Sequence, residues 1–332
     1  MISDAASWRE AIAEIGRYDY AHTYDFHQLS SSRGEGEPIA FAARDENKGT
    51  IAFWPTLKRS IDGSGAFDLT SVYGYAGPTV RSGAEGTSPI EAIFCAMSDF
   101  GAVSVFSRMH PLFTDQLGMA VRGDEIGSIV FIEITAQKDV LQSYRGSHRR
   151  EIVNATAKGL TITCGTDEKS LEDFLSIYTD TMKEVEAKEY YYFDKEYLSS
   201  ILNSKDFKTI ILTANFEGKP VAASMFIITG STMQYYLSGT VAAFRKLAPS
   251  KAIIAEAHRI AVELGLKKLV LGGGVGSAKD ALYAFKKGFS QATLPFHVTR
   301  RILDQRKYID LCVKRRIVPD QVQFFPAYRA PL

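Results

Sequence analysis

Three consecutive glycines followed by a short lysine-bearing helix form the segment of this chain with the clearest chemical potential. Gly272–Gly274 follow an apolar run and precede a helix that ends in the sequence Phe-Lys-Lys-Gly-Phe, residues 285–289. Glycines at a strand exit let a ligand approach the backbone closely, although they are also ordinary turn residues. The segment lacks the Gly-Lys-Ser/Thr of a phosphate loop and the third glycine and acidic residue of a dinucleotide site, so it does not predict a nucleotide fingerprint. Gly288 is expected to end the helix in the left-handed conformation, with Phe289 packing back on it.

Two motifs in the N-terminal half place aromatic, cationic and imidazole side chains near predicted strand ends. Tyr73 and Tyr75 flank a glycine in a loop, where two rings could stack on a base or a sugar. Arg108 and His110 follow a predicted strand in the sequence Phe-Ser-Arg-Met-His-Pro-Leu. The alternative interpretation of His110 is a histidine whose nitrogens are satisfied by backbone groups.

A second aromatic run lies between two helices predicted in the C-terminal half. Lys188 and Glu189 precede four consecutive aromatic residues at positions 190–193. Such a run in a polar loop indicates a lid or a wall for an acceptor molecule. Plain packing between the helices is the alternative.

Composition places the chain among ordinary globular proteins and narrows its partners. It has 332 residues, 45% hydrophobic and 23% charged, and 39 basic against 38 acidic residues give a net charge of +1. This balance argues against a nucleic-acid surface, which usually needs a basic excess. Three widely separated cysteines without a CxxC motif predict neither a zinc site nor a disulfide framework. No apolar run approaches the ~18 residues of a membrane helix, so we expect a cytoplasmic protein that binds neither a membrane nor a metal.

Periodicity predicts two successive α/β modules. The first contains a short helix, three strands, a helix and two further strands, and a helical stretch over 138–158 is expected to bridge the halves. The second contains a strand, two helices (the latter capped by Asp194), a three-stranded meander, a helix over 250–264, a strand, a short helix and a strand. A last helix is predicted over 300–315, and the aromatic tail is expected to pack on the N-terminal domain.

The order of these motifs resembles the Fem-type branch of the GNAT acyltransferases. The glycines, helix and Phe-Lys-x-Gly-Phe motif are similar to the end of that branch's second module. Phe67–Pro78, with the sequence FDLTSVYGYAGP, resembles its Ser-x-Tyr-Gly-Tyr-x-Gly-Pro loop, and Phe106–Leu112 resembles a further motif. The similarity extends from about Trp8 to Arg329, without the coiled-coil arm of some relatives.

This resemblance implies an α/β fold with mixed (α+β) sheets, arranged as two tandem GNAT-like domains with a cleft between them. We expect an N-terminal domain over residues 1–140, joined by the C-terminal tail 317–332. The C-terminal domain is expected over residues 141–316 and would bind the acyl donor.

The resemblance also implies where that donor binds. In GNAT enzymes the loop that enters the central helix holds the donor's pyrophosphate, because a helix N-terminus offers unpaired N–H groups and a positive dipole end to an anion. The preceding strand splays from its neighbour and binds the donor's amide arm. The corresponding donor-binding positions here are Leu237, Ser238, Gly239, Arg245, Lys246, Ala248, Ser250, Lys251, Gly273 and Tyr283.

Three residues are carried over as catalytic candidates. Lys286 matches the lysine that lies at the acyl-transfer centre of the Fem-type branch, where it could stabilise an oxyanion or hold a phosphate. Tyr236 is the cleft-facing candidate of two consecutive tyrosines that point to opposite faces of a strand. His110 is the candidate acceptor of the amine's proton, with a chain of water molecules as the alternative.

The predicted function is the transfer of an acyl group from acyl-CoA to an amine on a polar, nucleotide-linked sugar, as in the synthesis of cell-envelope polysaccharides. No metal is expected. The acceptor would contact Tyr73, Tyr75, Arg108, Lys188, Tyr190 and Tyr191. One alternative is an aminoacyl-tRNA-dependent transferase that acts on a peptidoglycan precursor. Another is a non-catalytic binding module, which loss of the donor loop would mark.

Overall fold

The computed structural model describes residues 1–83, 87–136 and 139–331, and the chain divides into two compact units. Unit 1 combines Met1–Ile126 with Pro295–Leu332, and unit 2 is the continuous segment Gly127–Leu294. The domains expected from the sequence put 127–140 in the first domain and 295–316 in the second, so the two divisions differ there.

The helices and strands of unit 1 alternate along both of its segments. Its helices are α1 (Ala5–Ile15), α2 (Tyr24–Ser32), α3 (Thr87–Asp99), α4 (Met119–Arg122) and α10 (Gln305–Lys314). Its strands are β1 (Glu37–Asp45), β2 (Gly49–Ile61), β3 (Ala66–Thr70), β4 (Thr79–Val80) and β5 (Ser104–Arg108), with most of β12 (Thr293–Ile302) and the first residues of β6 (Asp124–Glu133).

Unit 2 has the denser secondary structure. Its helices are α5 (Gly146–Ala157), α6 (Glu168–Glu184), α7 (Lys195–Leu202), α8 (Pro249–Glu263) and α9 (Ala281–Lys286). Its strands are the rest of β6, then β7 (Thr161–Gly165), β8 (Lys208–Phe216), β9 (Lys219–Thr229), β10 (Thr232–Thr240) and β11 (Lys268–Gly272). The stretch expected to be helical over 138–158 begins outside the described residues and contains a 3₁₀ turn at Val140–Ser143 before α5.

The sheet of unit 1 is mixed, in the order β1-β2-β3-β5-β12, with β4 beside β2. Only β3 and β5 run parallel. Residues Val298–Ile302 pair antiparallel with Ser104–Arg108, so the prediction that a helix begins at Arg300 is wrong. The helix begins only after Asp304, whose carboxylate accepts the N–H of Lys307 as an N-cap.

The sheet of unit 2 is also mixed, in the order β6-β11-β10-β9-β8-β7. β10 and β11 run parallel and the other neighbours run antiparallel. The apolar face of α8, with Ile253 and Ala257, packs into the core of this unit. Asp194 accepts the N–H of Tyr197, which confirms its predicted role as the cap of α7. The mixed α/β class predicted from the sequence is confirmed.

The C-terminal residues are part of the core of unit 1. Tyr328 is buried and its hydroxyl lies 2.8 Å from Ser104 Oγ. The buried carboxylate of Asp68 accepts hydrogen bonds from Arg59 and Arg329 at 2.9 and 2.6 Å. Across the described part of the chain, no helix is both long and apolar enough to cross a membrane.

Candidate active site

A gap opens in unit 2 between the two parallel strands. β10 and β11 pair only through Thr232–Gln234 and Lys268–Val270. The pairing of β10 with β9 then shifts register between Tyr235 and Leu237. The edge of β10 beyond Gln234 therefore faces a gap, in which its backbone polar groups can meet a ligand.

Strand alternation shows which N–H group points into this gap. Val241 donates its N–H to Val221 of β9, so the N–H groups of Thr240 and Ser238 point to the opposite edge. Thr240 donates its N–H to Thr181 Oγ1 of α6 at 2.9 Å. The N–H of Ser238 is therefore directed into the gap.

The remaining residues of this strand mostly serve packing. Leu237 is buried. A Cβ added to Gly239 would lie 2.8 Å from the carbonyl oxygen of Ile177, so α6 can cross the strand closely only at a glycine. Ser224 donates its hydroxyl to Ser238 Oγ at 3.0 Å, so the side chain of Ser238 is engaged with β9. The group that Ser238 can offer to a ligand is its backbone N–H.

Tyr236 lies at the bulge and is connected to the aromatic run. Its hydroxyl is 2.8 Å from that of Tyr197, whose ring stacks on Phe193 with centroids 4.5 Å apart. Tyr190 packs edge-on against Phe193 at 6.4 Å. The predicted aromatic wall and the predicted catalytic tyrosine thus belong to one connected cluster in unit 2.

The rest of the aromatic run lies on the surface of the same unit. Lys188 and Tyr190 are exposed, and Tyr191 is half-buried. The carbonyl oxygen of Tyr191 accepts the hydroxyl of Tyr178 at 2.8 Å, which anchors the 3₁₀ turn Glu189–Tyr191 on α6. A lid and a packing cluster both fit this arrangement.

The loop before α8 forms an uncapped helix N-terminus. A 3₁₀ helix at Ala242–Leu247 leads to Ala248, which adopts the left-handed conformation with φ 54°, and Pro249 begins α8. No side chain caps this end, and the hydroxyl of Ser250 lies 2.7 Å from that of Thr240. Pro249 has no N–H, and Lys251 donates its N–H to the carbonyl oxygen of Ala248 at 3.1 Å. The N–H of Ser250 has no partner among the described residues, so it can donate to an anion at the positive end of the helix dipole.

Two of the three cations in this loop are paired with acidic residues of other helices. Arg245 contacts Glu184 of α6 at 2.6 Å, and Lys251 contacts Glu151 of α5 at 2.5 Å. Lys246 is exposed. A phosphate that reaches this loop would therefore compete with two carboxylates. Sequence motifs gave no signal for either acidic residue.

Lys286 is buried at the end of α9, and 7% of its surface is exposed. Its Nζ donates to the carbonyl oxygen of Gly273, 2.7 Å away. Burial lowers the pKa of Lys286 to about 8, against the partly opposing charge of Asp280. An ammonium has three donors, and this is its one hydrogen bond among the described residues, so two N–H groups remain for a substrate oxygen.

The neighbouring residues of α9 are fixed to the protein. The hydroxyls of Tyr283 and Ser128 are 2.9 Å apart, so Tyr283 is engaged with β6. Asp280 caps the helix, and hydrogen bonds from the backbone N–H groups of Tyr283 and Val275 lower the pKa of its carboxyl. The expected left-handed ending is wrong, because the φ of Gly288 lies outside that region.

In unit 1, His110 lies in a buried hydrogen-bonded cluster. Its Nε2 is 2.9 Å from Asp19 Oδ2, both side chains are 1% exposed, and Leu112 donates its N–H to the Nδ1. The Nδ1 is thus an acceptor and the Nε2 carries the proton. Both ring nitrogens are occupied, so this geometry fits a positioning role better than proton transfer.

Asp19 is held as a carboxylate inside unit 1. Burial raises its pKa, but the hydrogen bonds from His110 and from the backbone N–H of Tyr20 outweigh burial, so the pKa of Asp19 is lowered overall. Tyr20 donates its N–H to the same carboxylate at 2.8 Å. His22 is fully buried next to this pair, with its ring centroid 5.8 Å from that of His110.

One of the two predicted stacking tyrosines of unit 1, Tyr75, packs against the same cluster. The ring of Tyr75 packs edge-on against His110 at 5.9 Å and Phe296 at 5.0 Å, and burial raises the pKa of Tyr75 to about 12. Tyr73 is 36% exposed. The guanidinium of Arg108 lies 5.2 Å from the ring of Phe106. Within the described residues, no group of three or more His, Cys, Asp or Glu could hold a metal ion.

Comparisons with known proteins agree with this arrangement. Residues 142–287 match the family model described as an acetyltransferase (GNAT) domain. A crystal structure of FemX is similar with a TM-score of 0.72 over 93% of this chain and 98% of that chain, at 11% sequence identity. A search of curated protein sequences gives no significant match.

Two further solved structures share the fold. One is a C-terminal domain (DUF2156) attributed to a lysylphosphatidylglycerol synthetase of Agrobacterium fabrum, with a TM-score of 0.59, 14% identity, and coverage of 90% of this chain and 92% of that chain. The other is L-PGS from Bacillus licheniformis, with a TM-score of 0.57, 13% identity, and coverage of 95% and 97%.

The family model covers residues 142–287, which lie within unit 2 and include the strand gap, so unit 2 contains an acyltransferase domain of the GNAT type. Over nearly its whole length the chain has the fold of FemX. The predicted resemblance is therefore confirmed as a GNAT domain in unit 2 and, for the Fem-type branch, at the level of the fold.

Proposed function

We propose that the protein transfers an acyl group from acyl-CoA to the amine of a small polar acceptor, a nucleotide-linked amino sugar. The observation that carries the proposal is the uncapped N-terminus of α8, which follows the strand that borders the gap after one 3₁₀ helix. This end offers the N–H of Ser250 and the positive end of the helix dipole to a pyrophosphate. The donor's amide arm would then run along β10.

The chemistry follows from the groups around the gap. The acceptor nitrogen attacks the thioester carbonyl carbon, an N–C bond forms, and the C–S bond breaks to release the CoA thiolate. The amine gives up its proton to water. The N–H of Ser238 and the ammonium of Lys286 would stabilise the oxyanion, because donors fixed in a water-poor site act strongly on charge that develops there.

A second candidate is aminoacyl transfer from an ester donor. It is favoured by the fold likeness to FemX and to the structures named for lysylphosphatidylglycerol synthesis, which spans nine tenths of this chain or more. The amine-acylation step is the same, but the donor is an aminoacyl ester. The ion pairs at Arg245 and Lys251 leave the loop less cationic than its composition indicates, which argues against a polyanionic RNA donor.

Calorimetry with CoA tests the donor. The double variant Arg245→Ala with Lys251→Ala should bind CoA much more weakly than the wild type, because both side chains lie at the proposed pyrophosphate site. Lys169→Ala with Arg259→Ala is a matched control, since it removes two cations from exposed ion pairs on α6 and at the other end of α8. Equal affinities of the two double variants would contradict the placement. No CoA binding by the wild type, together with binding of an aminoacyl ester, would favour the second candidate.

A further inference from the structure

The first turn of α5 holds the segment that carries Lys286 at two points. Arg145 donates its backbone N–H to the carbonyl oxygen of Gly288 at 2.8 Å. His148 places its Nε2 2.9 Å from the carbonyl oxygen of Phe285. These two carbonyl groups lie on either side of Lys286 along the chain. Their partners are 137 and 143 positions away in sequence, so no local motif indicates the contact.

The ring of His148 is packed too tightly to move. It is 1% exposed and meets the ring of Phe289 edge-on, with centroids 4.7 Å apart. A Cβ added to Gly288 would lie 2.1 Å from its Nε2, a distance that only a rearrangement could relieve. Gly288 is therefore a glycine because His148 occupies the space beside it.

The hydrogen bond also defines the proton of His148. A carbonyl oxygen only accepts, so the Nε2 of His148 carries the hydrogen and donates it to Phe285. Burial lowers the pKa of His148, the charges of Lys251 and Arg145 lower it further, and Phe285 and Glu151 oppose this. The ring therefore remains neutral at pH 7 and keeps one donor on the side of Phe285.

We propose that His148 is the positioning residue for Lys286. By holding the carbonyl of Phe285, it fixes the end of α9 so that Lys286 Nζ stays within 2.7 Å of Gly273 O, beside the strand gap. This proposal rests on the proposed function only for the catalytic consequence, because the contact itself is present without any ligand.

Steady-state kinetics of His148→Leu and His148→Gln test the catalytic consequence. Leucine keeps apolar volume but donates no hydrogen bond, so kcat should fall about 10²-fold, the scale expected for a misplaced catalytic group, with little change in KM. Glutamine has an N–H that can reach the same carbonyl, so it should recover much of the loss. In a Lys286→Ala background, His148→Leu should have no further effect on kcat, because it acts through the missing side chain. An equal additional loss in that background would overturn the proposal.

A titration of the Lys286 side chain tests the positioning without any substrate. The Cε signal of labelled lysine, assigned with Lys286→Arg, should have a midpoint near 8 in the wild type, where the ammonium is desolvated. In His148→Leu the midpoint should rise toward the usual 10.5 as the segment loosens and water reaches the group, while circular dichroism shows that the protein is folded. An unchanged midpoint would overturn the proposal. If the wild type lacked acyl-CoA activity, the proposed function would fail and this titration would still decide the role of His148.

A second pair of variants keeps the test sound if His148→Leu unfolds. Gly288→Ala should lower kcat in the presence of His148, because the added methyl group collides with the ring. In combination with His148→Ala the collision disappears, so Gly288→Ala should cost much less there. Equal costs in both backgrounds would contradict the close contact on which the proposal depends.

Discussion

In unit 1, Asp19 and His110 are buried together, and both ring nitrogens and both carboxylate oxygens have protein partners. In unit 2, Lys286 is also buried but makes one hydrogen bond among the described residues. Burial costs an ionisable group its hydration, which protein partners must replace. A buried group is called saturated here when all of its hydrogen-bond donors and acceptors have protein partners, and such a group stabilises the fold. A buried group with hydrogen-bond donors that lack protein partners can offer them to a ligand. This contrast separates a supporting role for the first cluster from a chemical role for the second.

The largest effect should come from breaking the saturated pair. Asp19→Ala removes the carboxylate that accepts from His110 and Tyr20, and since each hydrogen bond to a buried charged group contributes about 1.5–3 kcal/mol, the loss of both should cost about 3–6 kcal/mol. The free energy of unfolding from urea titration measures this. Asp115→Ala is the control, since that carboxylate is 64% exposed beside Arg17 and should cost at most about 1 kcal/mol. Similar losses for the two variants would remove the basis of the comparison.

The next largest effect should come from removing Lys286, the buried group with hydrogen-bond donors that lack protein partners. Lys286→Ala should lower kcat by about 10² to 10³-fold, the usual cost of one oxyanion donor, with little change in either KM, because the interaction forms only as charge develops. Lys287→Ala is the control, since its Nζ donates to the carbonyl oxygen of Gln291. A large rise in KM with kcat intact would make Lys286 a phosphate anchor instead.

Acid should weaken the segment around residues 19–30 of unit 1 more than α8 of unit 2. Burial lowers the pKa of His22 to about 4 and that of His27 to about 3 in unit 1, and that of His258 to about 4 in unit 2. These folded-state values lie below the ordinary 6.5, so the unfolded chain binds protons first and stability falls as the pH drops from about 6.5 to 4. Each histidine contributes at most on the order of 3–5 kcal/mol.

Hydrogen exchange at pH 7, 6 and 5 measures this difference between units. Peptides around residues 19–30 should lose protection earlier than peptides of α8, because two of these histidines lie in the first group. Equal loss of protection at each pH would mean that the buried histidines of unit 1 carry no special share of its acid sensitivity.

The smallest effect tests the stacking residues. Tyr75→Ala should raise the acceptor KM by up to about tenfold, since an aromatic contact contributes about 0.5–1.5 kcal/mol. Affinity for CoA should be unchanged. Weaker CoA binding with an unchanged acceptor KM would show that the two binding sites are assigned the wrong way round.

The sequence predicted the parts of the site that depend on local pattern. Three features could be recognised in the sequence because each occupies a few consecutive positions. They are the glycine exit, the basic loop before α8 and the lysine of the Phe-Lys-Lys-Gly-Phe motif. Glu151 pairs with Lys251 from 100 positions away, and His148 reaches Phe285 from 137 positions away. Only the folded backbone brings such residues together, so they were missed.

The errors have the same cause. Gly288 looked like a helix stop, but its missing side chain makes room for His148. Arg300 looked like the start of a helix, but hydrogen bonds to Phe106 of a distant strand keep it extended. The conformational preference of a short segment is weak where hydrogen bonding or packing with a distant part of the chain competes with it.

The division of unit 1 into two chain segments has a consequence for biosynthesis. Unit 2 is continuous and can fold as soon as its last strand has left the ribosome. Unit 1 lacks the β12 partner of β5 and the Arg329 that binds Asp68 until residues 298–329 have been made. Domains generally fold as units during synthesis. Here the first segment of unit 1 is made before unit 2 but must wait for the second segment, so the nascent chain carries an incomplete sheet of unit 1 while unit 2 assembles.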